Sequence, residues 1–157
     1  SSDVVLDSTY KEYVFTFKSI HAASNSGFSF NFRDGGTDYD ATKTTTHFYG
    51  YHNEAGSSSG LQYSDYDLAQ STAFQTIGDN LTTDADHNLS GYLHLFDPSS
   101  TTFVKHFITT LQFNSSTQST NTFCAGYCNT TTAIDAVQFK MSSGNIDAGD
   151  ICLYGIN

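Results

Sequence analysis

The stretch "GFSFNFR", Gly27 to Arg33, carries phenylalanine at every second position. In an extended chain Phe28, Phe30 and Phe32 therefore point to one side, and the polar residues between them point to the other. An alternation with a period of two is typical of an antiparallel strand that buries one face. This segment predicts a β-structured core in which the three rings are packed between two sheets.

The same alternation recurs on both sides of this stretch. In "EYVFTFKSI" it places Tyr13, Phe15 and Phe17 on one face. With its sister segments, the pattern predicts an all-β protein with a single domain over residues 1–157 and about eight antiparallel strands. We expect a β-sandwich of jelly-roll type, with a barrel as the alternative, and a last strand that pairs within a sheet. The sister segments are "ATKTTTHFYGY", "NLSGYLHLF", "TTFVKHFITTLQF", "TFCAGYC", "TTAIDAVQFKMSS" and "DICLYGI".

Residues 52–86 show no sustained period and are predicted to form an irregular excursion. We expect a helical turn near Leu68 to Phe74 and at most one short strand there. An irregular segment of this length in a compact domain is commonly a functional or interacting surface. Elsewhere, we predict a β-bulge at Gly50 and a polar loop at "NSSTQSTN".

The charge of the chain argues against two classes of partner. Its 157 residues include 6 basic and 16 acidic side chains, a formal net charge of -10. Nucleic acids and anionic membrane surfaces are bound through Lys and Arg, so neither is an expected partner. The sequence also lacks an apolar run of the roughly 20 residues that cross a bilayer.

The three cysteines cannot all pair within one chain. If Cys124 and Cys128 share a strand, they lie about 13 Å apart, beyond the span of a disulfide. Cys152 could pair with one of them across strands. We favour free thiols that act as small apolar core residues, as expected for a chain folded in a reducing cytoplasm.

One literal match to a catalytic motif occurs in "GSSSG", Gly56 to Gly60. In a nucleophile elbow the central serine, here Ser58, stands on a strained turn between a strand and a helix. No helical pattern follows this serine-rich stretch. We therefore expect a protein that is not an enzyme and has no catalytic residues, with a small hydrolase as a weak alternative.

Metal binding is also not expected, although the histidines and aspartates invite the question. His47 and His52 lie five residues apart and face opposite sides of a regular strand. His94 and His106 lie on consecutive strands and could approach each other across a hairpin. The segment "DGGTDYD" offers carboxylates for a loop-bound calcium, but without the spacing of an EF-hand loop. We expect no metal and no other cofactor.

The segment from His47 to Tyr66 combines tyrosines with amide and carboxylate groups. Tyrosine beside Asn and Asp can stack on a sugar ring and hydrogen-bond to it, or can form a protein contact with little loss of entropy. A purely structural role for most of these tyrosines is the alternative, and the chain lacks tryptophan, the best stacking platform. The candidate ligand-binding residues are Tyr49, Tyr51, His52, Asn53, Tyr63 and Tyr66.

Several stretches together resemble β-rich virion proteins of tailed bacteriophages, particularly phages of marine bacteria. The resemblance covers nearly the whole chain, and its most specific part is the ending, from Gly144-Asn145-Ile146 to Leu153-Tyr154-Gly155-Ile156. The stretches that carry it are "STYKEYVFTFKSIHAA", "DGGTDYDATKTTTHFYGYHNE", "DLAQSTAFQ", "LSGYLHLFDPSSTTFVKHFITT" and "AIDAVQFKMSSGNIDAGDICLYGI".

The resemblance implies a non-enzymatic structural protein on the virion surface, either a capsid decoration or head fibre or a component of a tail fibre. It implies assembly in the host bacterial cytoplasm, contacts with other virion proteins and a homo-oligomer, with a trimer favoured. It implies no catalytic residues. The alternative function is a carbohydrate-binding module that recognises host surface glycans through the tyrosine-rich loops, and this could also be the working end of a virion protein.

Overall fold

The computed structural model describes residues 6–157, which form ten strands and no helix. All strand pairings are antiparallel, so the all-β expectation is confirmed. The strands are β1 (Glu12–Ala22), β2 (Ser26–Arg33), β3 (Lys43–Asn53), β4 (Ser59–Tyr63), β5 (Gln75–Leu81), β6 (Leu89–Phe96), β7 (Lys105–Ser115), β8 (Gln118–Cys128), β9 (Ala136–Met141) and β10 (Ile146–Ile156).

The strands form two unequal sheets that enclose the core as a sandwich. The larger sheet has seven strands in the order β10-β1-β6-β7-β8-β3-β4, and the smaller has three in the order β5-β2-β9. The C-terminal strand pairs with β1, Glu12 opposite Ile156, as expected of a strand that completes a sheet. The seven-plus-three division departs from the eight strands of a simple jelly roll.

The alternating phenylalanines lie where the sequence predicts. Phe28, Phe30 and Phe32 are fully buried. Phe30 packs edge-on against Phe107 of the large sheet, with ring centroids 5.2 Å apart, and Phe28 does the same with Phe17 at 5.2 Å. These contacts between aromatic rings of β2, β7 and β1 join the two sheets through one continuous core.

The second face of β2 is also buried, and the expectation of a half-buried strand was wrong. Ser29 and Asn31 lie on that face, and both are almost completely buried. The Asn31 amide nitrogen donates to the carbonyl oxygens of Tyr39 at 2.6 Å and Thr72 at 2.9 Å. Two connecting segments thus close over the strand and satisfy its polar groups, which makes their burial tolerable.

The excursion over residues 52–86 is more regular than predicted, because it contains β4 and β5. These two strands account for the difference between about eight and ten. β4 gives no alternation signal because it is an edge strand whose five residues are all exposed. β5 contains Gly78, Asp79 and Asn80, residue types that strands generally disfavour.

Three local predictions were wrong. The segment near Leu68 to Phe74 is irregular rather than helical, and Ser71 within it forms an isolated β-bridge with Lys43. Gly50 continues the ladder without a bulge. The polar stretch "NSSTQSTN" is mostly strand, and its turn is formed by Ser116 and Thr117 alone, with Ser116 at a φ of 53°. In each case pairing with a neighbouring strand decides the local conformation.

The cysteines are free thiols, as predicted. Cys124 and Cys128 share β8 and are buried, while Cys152 on β10 is partly exposed. Residues 6–157 include no helix that could span a bilayer.

Candidate functional site

A polar cleft of about 790 Å³ opens at one end of the sandwich. It lies where β3 and the β7–β8 hairpin approach the end of β5 and the beginning of β2. Its volume falls within the range of small-molecule sites in proteins. The side chains that line it include His47, Tyr49, Asn53, Tyr66, Asp79 and Gln118.

Strand alternation explains which residues of β3 reach the cleft. His47, Tyr49 and Asn53 share one face of the strand, and their register partners on β8 are Cys124, Thr122 and Gln118. Paired residues of an antiparallel ladder point to the same side of the sheet. The inner face of β3 therefore changes from core to cleft wall between His47 and Asn53.

Tyr66 and Asp79 form the polar wall of the cleft. The Tyr66 hydroxyl donates to Asp79 Oδ2 at 2.5 Å, and this bond raises the pKa of Tyr66 to about 12. Asn80 also donates to Asp79 Oδ2, at 2.9 Å. Both bonds use one carboxylate oxygen, which leaves Oδ1 for a ligand. Gly27 faces this oxygen, and a Cβ there would lie 3.3 Å from it.

His47 lies at the base of the cleft and has unused hydrogen-bonding capacity. Its side chain is buried, and neither ring nitrogen makes a hydrogen bond of normal geometry with the described residues, although the backbone of Ile77 acts on the ring from a poorer geometry. Tyr66 stands edge-on to the ring, with centroids 5.9 Å apart. Burial lowers the pKa of His47, so the ring is neutral and offers one donor and one acceptor. A buried polar ring without partners is rare and points to a ligand or water that would satisfy it.

The structure places the six predicted ligand residues on two different faces. Tyr49, Asn53 and Tyr66 line the cleft. Tyr51 lies on the same face of β3 as Tyr49, with ring centroids 6.1 Å apart, and its ring covers Gly60. His52 and Tyr63 point to the opposite face of the large sheet, where Tyr63 is paired with Phe48.

Asn53 has a structural role at the rim of the cleft. Its side-chain oxygen accepts from the backbone N–H groups of Ser57 at 2.9 Å and Ser58 at 3.0 Å. Its amide nitrogen donates to the Ser57 hydroxyl at 2.9 Å. These bonds hold the turn between β3 and β4, so Asn53 has little left to offer a ligand.

Sequence reasoning missed His47, Asp79 and Gln118 as cleft residues. His47 could have been found, because it precedes Tyr49 by two positions and so shares its strand face. Asp79 could not, since the strand that carries it gives no periodic signal. Gln118 was assigned to a loop, although it is the first residue of β8.

The structure does not give the serine motif or the histidines the neighbours that catalysis or metal binding would need. Ser58 lies in a β-hairpin turn, and β4 rather than a helix follows it, so the geometry of a nucleophile elbow does not occur here. His94 bonds to Glu12 at 2.9 Å and His106 packs near Tyr127, so the hairpin does not join the two histidines. Within residues 6–157, no three His, Cys, Asp or Glu side chains converge as metal ligands.

The polar groups that line the cleft suit a neutral ligand that is rich in hydroxyl groups. Among the described residues, its lining includes one carboxylate and no lysine or arginine. Such a surface disfavours anions and offers hydroxyl, amide, imidazole and carboxylate groups to an uncharged polar molecule.

Comparisons of the chain with protein-family models, with curated proteins and with solved structures found no match.

Proposed function

We propose that this protein is a non-enzymatic surface component of a bacteriophage particle, and that its cleft binds a neutral glycan of the host surface. The virion assignment is supported by the sequence resemblance. The glycan assignment is supported by one observation above all, the buried and unpartnered ring of His47 at the base of a cleft walled by tyrosines.

Sugars fit the groups in this cleft. Their hydroxyls both donate and accept hydrogen bonds, as His47 and Asp79 require, and their C–H faces pack on tyrosine rings such as that of Tyr49. A nucleic acid does not fit, because phosphate would lie against Asp79 with no basic group in the cleft lining to neutralise it.

Glycan arrays followed by calorimetry on the full chain test the binding. We expect His47→Phe and Tyr66→Ala to weaken binding of a neutral glycan by at least about tenfold, the equivalent of 1.4 kcal/mol. Tyr63→Ala is the matched control, because this tyrosine lies on the opposite face of the sheet and should leave affinity unchanged. Absence of binding to any neutral glycan, or equal losses in all three variants, would contradict the proposal.

Proteomics of purified phage particles tests the virion assignment separately. Copy counting should find the protein in the particle, with hundreds of copies indicating the capsid and a few indicating the tail. If the protein is present in infected cells but absent from purified particles, the virion assignment is wrong whatever the result for glycans.

A second candidate function, a structural decoration that contacts copies of itself, is favoured by the outer face of the large sheet. There Tyr63 lies opposite Phe48, and Phe48 lies opposite Phe123. The two phenylalanine rings stack at 5.1 Å, and all three side chains are more than a third exposed. Contiguous exposed aromatic residues of this kind commonly mark protein interfaces.

Sedimentation measurements test this second role. We expect the wild-type chain to form a homo-oligomer, a trimer if the resemblance holds, and Phe123→Glu to convert it to monomer. Thr101→Glu is the control, since this residue is exposed in a loop. A wild-type chain that is monomeric at all concentrations would contradict self-association.

A further inference from the structure

The amine of Lys43 lies against the side-chain amide of Asn31 inside the protein. Lys43 Nζ donates to Asn31 Oδ1 at 2.6 Å and to the Ala41 carbonyl at 3.1 Å. Both side chains have 0% relative exposure. Buried lysines are normally paired with carboxylates, but within residues 6–157 neither hydrogen-bond partner of this amine is one.

The surroundings make the amine a nucleophile. Burial lowers the pKa of Lys43 to about 8, so a substantial fraction carries no charge under mildly alkaline conditions. Only a neutral amine has the lone pair needed to attack a carbonyl carbon.

The same surroundings hold and polarise the amide. Asn31 Oδ1 accepts a second hydrogen bond, from the backbone N–H of Phe32 at 2.9 Å, and this donor is placed to stabilise negative charge on that oxygen. The Asn31 nitrogen is held by the carbonyls of Tyr39 and Thr72. Fixing both reactants in contact converts a slow bimolecular reaction into an intramolecular one.

We propose that Lys43 and Asn31 join in an intramolecular isopeptide bond. Lys43 Nζ attacks Asn31 Cγ and forms a carbon–nitrogen bond, and the bond from Cγ to Nδ2 then breaks. Nδ2 leaves as ammonia with the proton that Nζ gives up, and no oxidation or reduction occurs.

The bond ties β2 of the small sheet to β3 of the large sheet. It supplies a covalent link between sheets in a protein whose cysteines are free. A second buried lysine provides the contrast. Lys105 donates to the carbonyls of Thr130 and Thr132, which belong to the backbone, and so has no side-chain amide to attack.

High-resolution mass spectrometry of the denatured full chain tests the proposal. We expect a mass lower than that of the sequence by one ammonia, and a branched peptide joining residues 31 and 43 after digestion. Lys43→Met and Asn31→Ala should restore the sequence mass, whereas Lys105→Met should keep the deficit.

If a variant fails to fold, the mass of the wild-type chain still tests the proposal. A full sequence mass after prolonged incubation of the folded chain in mildly alkaline buffer would overturn the proposal. A deficit that persists in Lys43→Met, or that maps to a cyclised asparagine without a branched peptide, would overturn it as well.

Discussion

Tyr66 and Asp79 are joined by a hydrogen bond of 2.5 Å between the phenol and the carboxylate. Tyr66 lies in the connection after β4 and Asp79 lies within β5, so the bond fixes that connection as a wall of the cleft. The sequence predicted at most one short strand in this region and placed neither β4 nor β5. The tertiary structure alone therefore brings this pair together. The pair also makes the stability of the fold depend on pH.

The Tyr66 hydroxyl should make stability fall at high pH. Its pKa is about 12 in the folded protein, against an ordinary value of 10.0. Between these values the unfolded chain loses a proton that the folded chain keeps, so the stabilisation is complete below about pH 10 and is lost as pH rises toward about 12. Urea unfolding at several pH values should show a shallower decline in Tyr66→Phe. Asp79→Asn should lower the pKa of Tyr66 toward its ordinary value in an ultraviolet titration, and an unchanged titration would contradict the assignment.

His47 should make stability fall under mild acid. Burial lowers its pKa below the ordinary value of 6.5. As pH drops below about 6.5, the unfolded chain therefore binds a proton that the folded chain does not, and the free energy of unfolding decreases. His47→Phe should remove this component, and the difference between the two unfolding curves isolates it from the other histidines. If the free energy of unfolding of the wild type and of His47→Phe changes in the same way with pH, the ring is not held neutral in the folded protein.

Phe30 should be among the most costly core residues to truncate. It is fully buried and contacts the rings of Phe32 and Phe107. Phe30→Ala should lower the free energy of unfolding by about 3–5 kcal/mol, because it removes apolar contacts and leaves a cavity. Phe103→Ala is the matched control, since that ring is 70% exposed, and it should change stability by no more than about 0.5 kcal/mol. If Phe30→Ala and Phe103→Ala lowered the free energy of unfolding equally in chemical denaturation, Phe30 would not lie in the core of the sandwich.

Gly126 should not tolerate a side chain. A Cβ there would lie 2.5 Å from the Thr44 carbonyl oxygen and 2.9 Å from the Phe107 ring. The backbone oxygen belongs to the paired strand β3 and cannot move aside cheaply, so Gly126→Ala should cost about 1–3 kcal/mol. Gly36→Ala, where the nearest atom is 3.9 Å away, should be close to neutral in the same unfolding assay. A neutral Gly126→Ala would show that these strands are not in the described register.

The three thiols should differ in reactivity. Burial raises the pKa values of Cys124 and Cys128 to about 12, and only the thiolate reacts rapidly with a disulfide reagent. Cys152 is partly exposed. A colorimetric thiol assay should count one reactive group in the native protein and three after denaturation, with Cys152→Ser abolishing the native signal. Fast native labelling in Cys152→Ser would contradict the burial of β8.

Sequence reasoning located the core but only part of the cleft. The inward faces of β1 and β2 followed from alternation, and Tyr49 and Tyr66 of the predicted ligand-binding group line the cleft. The assignment of Tyr63 to the same ligand-binding group as Tyr66 treated them as neighbours, although strand geometry places Tyr63 on the outer sheet face. A segment without periodic apolar residues carries no local signal of which way its side chains point.

The sequence by itself determined that Phe28, Phe30 and Phe32 face a core, because the direction of a side chain on a strand depends only on its parity along that strand. The tertiary structure alone decided that His47 lies beneath Tyr66 and Asp79, and that Lys43 reaches Asn31. These contacts depend on which strands pair and in what register. Strand pairing is in turn determined by interactions between residues that are far apart in the chain.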